Sequence, residues 1–577
     1  MTQAHQNKAV RYEPDESPPL PVALGVGLQA AAVIVAPVVL TVVIVARLAD
    51  QADTYTTWAV FAALLISGLT TALQARRLGR IGSGHVLIMG TSGAFIAVCV
   101  AALVNGGPAT LASLVVVSSL FQFLMANRLS WLRRVFTPVV AGTVIMLIAA
   151  TVMPLIFESL TDVPADTSEA AAPLTALATL LVVGGLVLRA PTAFRLWSPV
   201  IGVAVGCFVA APFGLYDLES VLDASWIGAP FTSWPGMDLT PGGEFWELLP
   251  AFVVVTLVGA IETLGDGVAI QRVSHRVPRA TDFRVVQGAL NADGVGNLLS
   301  GLAGTLPNTT YSTSISLTEV TGVASRRVGV VIGAVFMGVA FLPKAAALLI
   351  SIPPPVAAGY LLVLVGVLFV QGAKIVVQDG VDHRKALLVG VSFWMGAGFQ
   401  NQWIFPDLLG EGFLAVLFGN GMTGGAIVAI VIMAFMEATG SRRRKLDLPL
   451  DWDALPKLKG LLRDMAAKSR WDPALEERLV LVGEETLSSL LAEGDGASEP
   501  RHLVVTARPA GGGVELEFLC GSGRENLEDR LSYVGDAPEI ADGREISFRL
   551  LRHYASSVRH HKYHDVDIVT VNVAGPR

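Results

Sequence analysis

The chain has 577 residues, of which 53% are hydrophobic and 15% are charged, against about a quarter charged in an average soluble domain. This composition excludes a soluble globular protein of this length. Its 58 glycines and 31 prolines are scattered through apolar runs, as in packed and interrupted membrane helices. The net charge of −7 does not favour a nucleic-acid partner, and three well-separated cysteines predict neither a disulfide framework nor a thiolate metal site.

The first 21 residues are polar and end in a proline cluster, so we expect a cytoplasmic tail followed by a retained first membrane span. From there the apolar pattern predicts fourteen segments, the tenth of which is too short to cross a bilayer alone. In chain order they lie near 22–46, 57–74, 85–104, 109–127, 138–157, 173–188, 197–213, 248–270, 284–303, 310–322, 327–350, 355–376, 386–403 and 417–437.

The charges of the connecting loops test this order independently, because Lys and Arg remain on the cytoplasmic side of a membrane. The connections after even-numbered segments, together with the adjoining segment ends, carry 17 Lys and Arg residues, whereas the opposite side has only Arg47 and Lys344. The alternation predicts a multi-pass protein of the cell (inner or plasma) membrane, with both termini in the cytoplasm.

The composition changes after residue 437. A basic linker at 438–445 precedes a region in which roughly a third of the residues are charged, so we expect a membrane domain at 22–437 and a cytoplasmic domain at 446–577. The pattern of this second domain predicts a small α/β layer with a glycine-containing loop before its last helix. The predicted elements are helix 474–492, strand 502–508, strand 513–519, helix 544–557 and strand 565–573.

Four acidic residues lie well inside the predicted spans: Glu262 and Asp266 in the eighth, Asp293 in the ninth and Glu319 in the tenth. An ionised carboxylate in the membrane costs several kcal/mol unless it lines a wet cavity or finds partners, so these residues are functional candidates. Glu262 and Asp266 are four residues apart and share one helix face, which suits the binding and release of a proton. The alternative for Asp266 is an ion pair with an arginine at the cytoplasmic end of its helix.

Two segments interrupt the apolar pattern at corresponding places in the two halves of the chain. One is GTSGAF at 90–95, and the other is Pro307 followed by NTTYSTS at 308–314. Interrupted helices at matching positions are typical of inverted-repeat secondary transporters, in which freed backbone groups face the substrate near the membrane midplane. The pattern favours transport over catalysis, although a Ser/Thr-rich packing face explains the first segment equally well.

On these residues the chain resembles the nucleobase-cation symporter 2 family, also called nucleobase-ascorbate transporters. The resemblance covers nearly all of 22–437. It implies an all-α polytopic fold of fourteen spans in two inverted repeats of seven, with broken spans 3 and 10, a core domain, a gate domain and often a homodimer. The similar stretches are GTSGAF at 90–95, FTPVVAGTV at 136–144, IETLGDGVA at 261–269, DGVGNLLSGLAGTLPNTTYS at 293–312 and TGVASRRVG at 321–329.

The resemblance also implies a function, the proton- or sodium-coupled uptake of xanthine, uric acid, uracil or a related base. Glu262 would bind the base, and Glu262, Asp266 and Asn308 would serve proton coupling. We expect no enzymatic activity, no metal and no cofactor. Further contacts with the substrate are expected from Ser92, Gly93, Phe95, Tyr311, Ser312, Thr313 and Ser314.

One departure from the family pattern leaves the substrate open. After the second break the family has Gln or Glu followed by Asn, where this chain has Thr313 and Ser314. A shorter hydroxyl cannot bind the edge of a base in the same bidentate way, so discrimination would differ. The alternatives are another small anion or organic acid as substrate, with Glu319 compensating or lying in the gate interface, or a membrane sensor that signals through the tail.

The order of elements in the tail, with GREISFRLLRHYASSV at 543–558 before VDIVTVNV at 566–573, resembles the histidine-kinase-type ATP-binding fold of anti-sigma regulatory factors. Ser489 and Cys520 stand near the positions of the family's Mg²⁺-holding Asn and adenine-binding Asp. The resemblance therefore implies a domain without ATP hydrolysis that serves regulation or contact with a cytoplasmic protein. We expect four histidines to form a solvated basic face rather than a zinc site, namely His553, His560, His561 and His564.

Overall fold

A computed structural model of the protein describes residues 10–577 except 128–136, 196, 217, 278, 378–379, 406–417, 419–420, 440–443, 493–501, 511–512, 521–549, 564–565 and 576–577. The described chain forms two compact units. The larger unit extends to His275 and resumes over Val285–Met436. The smaller unit combines the short segment Arg276–Arg284 with the chain from Glu437 onward.

The described part of the chain before residue 440 is mainly helical and contains two short strands. Apolar helices suit a membrane because they satisfy their backbone hydrogen bonds internally. Among the described residues, seven helices are long and apolar enough to span a membrane, and a bent helix pair is an eighth candidate. The elements are α1 Leu20–Leu48, α2 Asp53–Arg76, β1 Met89–Thr91, α3 Ile96–Asn127, α4 Pro138–Leu160, α5 Ala171–Arg189, α6 Thr192–Arg195, α7 Ser198–Ala210, α8 Leu218–Asp223, α9 Gly243–Val273, α10 Phe283–Ala303, β2 Asn308–Thr310, α11 Thr313–Thr321, α12 Arg326–Ala340, α13 Pro343–Ile350, α14 Pro354–Val377, α15 His383–Gln400 and α16 Gly421–Thr439.

Most predicted apolar segments coincide with one helix, but two regions differ. The segment predicted at 85–104 is extended at first and becomes helical as α3, which continues through 109–127 after a break at Gly107, where φ is 75°. The segment predicted at 327–350 is not one span, because α12 and α13 meet at a bend of 82°. Pro343 begins α13 and supplies no backbone N–H to the preceding helix, which explains the break.

Glycines bring two pairs of helices into close contact. A Cβ on Gly142 in α4 would lie 2.5 Å from the carbonyl oxygen of Gly372 in α14, and a Cβ on Gly372 would lie 2.7 Å from that of Gly142. Gly68 in α2 and Gly333 in α12 have the same reciprocal relation. These backbones touch where neither residue has a side chain, which is how small residues pack helices in membranes.

The smaller unit contains a five-stranded antiparallel sheet with the order β3-β4-β5-β7-β6. Alternate residues of its central strands are fully buried, as expected for a sheet with one face on a core. Val505, Phe518 and Val569 form one such row across the sheet. The elements of this unit are β3 Arg444–Pro449, α17 Ala454–Lys468, α18 Pro473–Ala492, β4 His502–Ala510, β5 Gly513–Cys520, β6 Ser557–Lys562 and β7 Asp567–Val573.

The tail differs from its prediction in three ways. The sequence pattern did not predict β3 and α17. The predicted helix 544–557 is helical over 550–554 but ends in β6, and its first residues and the glycine-containing loop lie outside the described residues. His560 does not join a solvated face, because it is fully buried in β6 with its Nε2 3.7 Å from Asp567 Oδ2.

A substitution at the α4–α14 crossing tests this packing. Gly372→Ala should lower the free energy of unfolding by about 1–3 kcal/mol, because its new methyl group must displace the α4 backbone. Gly366→Ala in the same helix is the matched control, since its Cβ would meet no described atom within 4 Å. Thermal unfolding of the two solubilised variants compares them, and equal melting temperatures would contradict the close crossing.

Candidate functional site

The two interruptions predicted from the sequence meet in space as a small antiparallel sheet. In the β1–β2 ladder Met89 pairs with Thr310, Gly90 with Thr309, and Thr91 with Asn308. Ser92 N also donates a 2.9 Å hydrogen bond to Pro307 O. Each strand is followed by a helix, so the half-helices α3 and α11 both begin beside this ladder. Two broken helices thus satisfy each other's backbone groups deep in an apolar unit.

Tyr311 fixes the second break against the first. Its N–H donates to Ile88 O at 2.8 Å, and its hydroxyl donates to Thr91 O at 2.8 Å. A Cβ on Gly90 would lie 2.8 Å from the Tyr311 ring and 2.8 Å from Val38, so only glycine fits beneath this ring. Tyr311, predicted to contact substrate, therefore also joins the two strands.

Asp266 in α9 is held by the second break. Its Oδ2 accepts a 2.7 Å hydrogen bond from Thr310 Oγ1, and its Oδ1 accepts a 2.7 Å bond from Ser312 Oγ. The side chain is only 4% exposed. Hydroxyl groups occupy both carboxylate oxygens, so the alternative of an arginine partner for Asp266 is not supported.

A second acid, Asp293 in α10, belongs to the same buried network. Its Oδ2 accepts hydrogen bonds from Thr263 Oγ1 at 2.8 Å and from Gln122 Nε2. The hydroxyl of Thr263 lies 3.3 Å from that of Thr310, which links Asp293 to Asp266 through two side chains. Among the described residues, the second oxygen of Asp293 has no hydrogen-bond partner.

The network then returns to the second break through two amides. Gln122 Oε1 accepts a 2.8 Å bond from Asn297 Nδ2, and Asn297 Oδ1 accepts a 2.6 Å bond from the backbone N–H of Asn308. The sequence singled out Asp293 as a membrane acid but gave it no partners. It did not name Gln122, Thr263, Asn297 or Thr310 as site residues, although Thr310 lies in the second predicted break. The signal for Gln122 was available, because it is an isolated amide within an apolar helix.

Glu262 lies one helical turn before Asp266 and differs from it in its surroundings. Its side chain is half-buried, and its carboxylate accepts no hydrogen bond from any described residue. Phe95 lies near the preceding turn, since a Cβ on Gly259 would be 3.6 Å from its ring. The structure therefore places Phe95 near the helical turn that precedes Glu262, and the Glu262 oxygens accept no hydrogen bond within the described chain.

The other predicted site residues differ in whether their side chains are already used in hydrogen bonds within the described chain. Gly93 has open space, because a Cβ there would meet no described atom within 4 Å. The Ser92 hydroxyl is buried with no partner in the described chain, and Thr313 is half-buried at the start of α11. Ser314 is committed to the fold, since its hydroxyl accepts from Ile88 N at 2.8 Å and donates to Tyr311 O at 2.6 Å.

Two further residues clarify earlier expectations. The Asn308 amide Nδ2 lies 3.5 Å from both the Ser67 and the Thr70 hydroxyl oxygens, and its Oδ1 is buried without a partner among the described residues. Asn308 is thus buried at the edge of the network rather than between the two acids. Glu319 is exposed on α11, which argues against the expectation that it compensates for Thr313 at the substrate.

A small cleft lies beside the C-terminal half of α1. Leu40 and Ile96 line it, and Ile96 directly follows Phe95 in the first break. Arg47 and Asp162 also line it. The Arg47 guanidinium donates hydrogen bonds to the carbonyls of Ile350 and Ile352, which ties the end of α1 to the connection between α13 and α14.

A family model for xanthine and uracil permeases, described as a permease family, matches residues 22–403. The chain belongs to this permease family. The match confirms the resemblance to nucleobase-cation symporters found in the sequence, and it makes the protein a membrane transporter rather than an enzyme.

Individual relatives agree with this assignment. A Clostridium perfringens protein that is named as a purine permease, CPE0397, is 30% identical over 66% of this chain and 83% of its own length. The xanthine permease XanP of Escherichia coli K12 is 27% identical over 74% of this chain and 94% of its own length. The inward-facing structure of the murine anion transporter Slc26a9 covers 76% of this chain and 72% of its own, with a TM-score of 0.50 and 12% identity. This last likeness concerns the fold alone.

Two neighbouring threonines of β2 provide a test of the network. Thr310→Val should lower the free energy of unfolding by about 2 kcal/mol, because buried Asp266 loses a hydrogen bond. Thr309→Val is the matched control, since the Thr309 hydroxyl is buried and makes no hydrogen bond in the described chain. Thermal unfolding should separate the two permease variants, and equal loss in both would argue against the assigned bond.

Proposed function

We propose that this permease takes up a nucleobase of the xanthine, uric acid or uracil type together with protons across the cell membrane. The observation that carries the proposal is the half-buried carboxylate of Glu262, which has no partner among the described residues and lies beside the junction of the two broken helices. These bases present ring N–H groups, and a carboxylate accepts two such donors. The names of the relatives, a purine permease and a xanthine permease, support this substrate class.

Proton coupling follows from the position of Glu262 relative to Asp266. Two negative charges one turn apart repel strongly where little water screens them. A proton on one carboxylate removes that repulsion and leaves the other free to accept the N–H groups of the base. The hydroxyls of Thr310 and Thr263 extend this pair to Asp293, so a proton bound at one acid alters the hydrogen bonds of the next.

We also propose fourteen spans in two inverted repeats of seven, with a core and a gate domain. The contacts between helices and strands support this, because a contact between an element of one half and an element of the other has an equivalent in which the two halves change places. β1 pairs with β2, and α4 crosses α14. The glycine contact of α2 with α12 has its counterpart in α10 and α3, where a Cβ on Gly301 would lie 2.7 Å from Val116 N.

The topology, assembly and entry route are part of the same proposal. Both termini lie in the cytoplasm according to the loop charges, and a homodimer is expected from the resemblance. The part of the cleft at Arg47 then lies toward the outer side, since Arg47 follows an odd-numbered span. We propose that the base enters there, with Arg47 favouring anionic forms of the substrate.

A second candidate function is the transport of another small anion or acid. Thr313 favours it, because a half-buried hydroxyl stands where the family has a longer carboxamide or carboxylate. A thermal-shift panel of xanthine, uric acid, uracil, hypoxanthine, guanine and ascorbate decides between the two, since a ligand that binds only the folded state stabilises it. No shift with any compound would favour the anion alternative.

Replacing one carboxylate tests the assigned role of Glu262. Glu262→Gln should lower the initial rate of uptake of the stabilising base by about two orders of magnitude, because a charged hydrogen bond to the ligand is lost. The variant should insert and unfold like the wild-type protein. Glu319→Gln, which changes an exposed carboxylate, is the control and should transport normally. Normal accumulation by Glu262→Gln would remove this residue from the mechanism.

Reconstituted vesicles test the coupling ion. An acidic exterior without sodium should drive accumulation of the base, and a proton ionophore should abolish it, because uptake draws on the proton gradient. A sodium gradient at equal internal and external pH should have no effect. Accumulation driven by sodium alone would contradict proton coupling while leaving the substrate assignment intact.

A further inference from the structure

The cytoplasmic loop between α9 and α10 belongs to the same compact unit as the tail. Its residues Arg276–Arg284 group with the chain from Glu437 onward rather than with the helices that they connect. This grouping is unexpected from the sequence, since the nearest residues of the tail follow more than 150 positions later. The tail thus has a local partner within its own chain.

Aromatic contacts hold the loop. The ring centroid of Phe283 lies 4.6 Å from that of His561 and 5.0 Å from that of Tyr563. Tyr563 is 1% exposed, so the Phe283 ring packs against a buried side chain. Contacts at these distances between tilted rings are favourable beyond the apolar area that they bury.

The backbone continues the same contact. Asp282 and Lys562 form an isolated parallel β-bridge, which adds the loop to the end of β6. Lys562 is 2% exposed, and Asp282 is oriented by a 2.8 Å ion pair with Arg284. An edge strand offers unpaired backbone groups to an extended segment, and here the chain itself supplies that segment.

We propose that the surface of the tail formed by residues 560–563 is a docking site for the chain's own 276–284 loop, through which the tail restrains transport. The restraint rests on the proposed transport function, whereas the docking surface does not. This proposal gives the tail a role in intramolecular regulation, with the loop as its binding partner.

The position of the loop explains how docking reaches the site. It joins the helix that carries Glu262 and Asp266 to the helix that carries Asp293. Ten residues of helix separate Asp293 from Phe283, a distance of about 15 Å at 1.5 Å per residue. A transporter of this kind moves its site helices between two states, and a contact made in one state slows departure from it. Release of the loop should therefore speed the cycle.

Disulfide formation in the full-length protein tests the docking surface. Residues paired in a β-bridge lie close enough for a disulfide, so Asp282→Cys combined with Lys562→Cys should give a linked peptide on oxidation. Thr506→Cys with Glu517→Cys, partners in β4 and β5, is the positive control. A linked control without linkage of 282 to 562 would overturn the proposal.

Uptake by the same variants tests the restraint. Oxidation of the 282–562 pair should reduce the rate, and a reductant should restore it. Phe283→Ala should raise the rate by roughly fivefold, as expected for loss of the ring contacts of Phe283 with His561 and Tyr563. Phe194→Ala, which removes an aromatic residue that is 61% exposed in the short helix α6, should leave the rate unchanged.

Two results would separate this inference from the proposed function. Linkage with unchanged uptake, together with a Phe283→Ala variant that transports like the wild-type protein, would overturn the restraint and leave nucleobase transport standing. If the wild-type protein takes up no base, the transport proposal and the restraint built on it both fail. The linked peptide would still decide the docking surface, because its formation does not depend on the solute.

Discussion

The need to satisfy backbone groups without water is the constraint on which the rest of the permease depends. Two segments, around Gly90 and around Pro307, are extended where a continuous helix would otherwise run, and each would leave open N–H and C=O groups in an apolar interior. The β1–β2 ladder pairs those groups with one another. The second break also places the hydroxyls of Thr310 and Ser312 against Asp266. The interruption that exposes backbone groups therefore also positions an acid.

The residues near this junction are of two kinds: some form a buried hydrogen-bond network, and others have free oxygens or open space in the described chain. The network from Asp266 to Asp293 and Gln122 is buried and nearly saturated with hydrogen bonds, which makes it a rigid support. Glu262 is half-buried without a hydrogen bond in the described chain, and Gly93 has open space around it. This division between a supported acid and an available one is what a site for a polar, planar ligand and a proton requires.

Much of this could be predicted from the sequence, because membrane helices carry strong local signals. The apolar runs gave α1, α2 and α9 within a few residues, and the rarity of membrane acids singled out Glu262 and Asp266. The hydrogen-bond partners could not be predicted, since Gln122 and Asn297 are far apart in sequence and meet only through packing. Strand β6 was missed for the same reason, as tertiary contacts outweigh local preference there. The bend before Pro343 was missed although that proline is a local signal for it.

Ser314 has a consequence for how substrate range can change in this permease. Its hydroxyl joins Ile88 of the first break to Tyr311 of the second, so one small side chain serves the joint between the two halves. An altered residue at 314 acts on that joint before it acts on any ligand. Evolution or engineering that aims at selectivity has more freedom at Thr313, which is half-buried and forms no such bridge among the described residues. Neighbouring positions in one motif are therefore unequal in their capacity to vary.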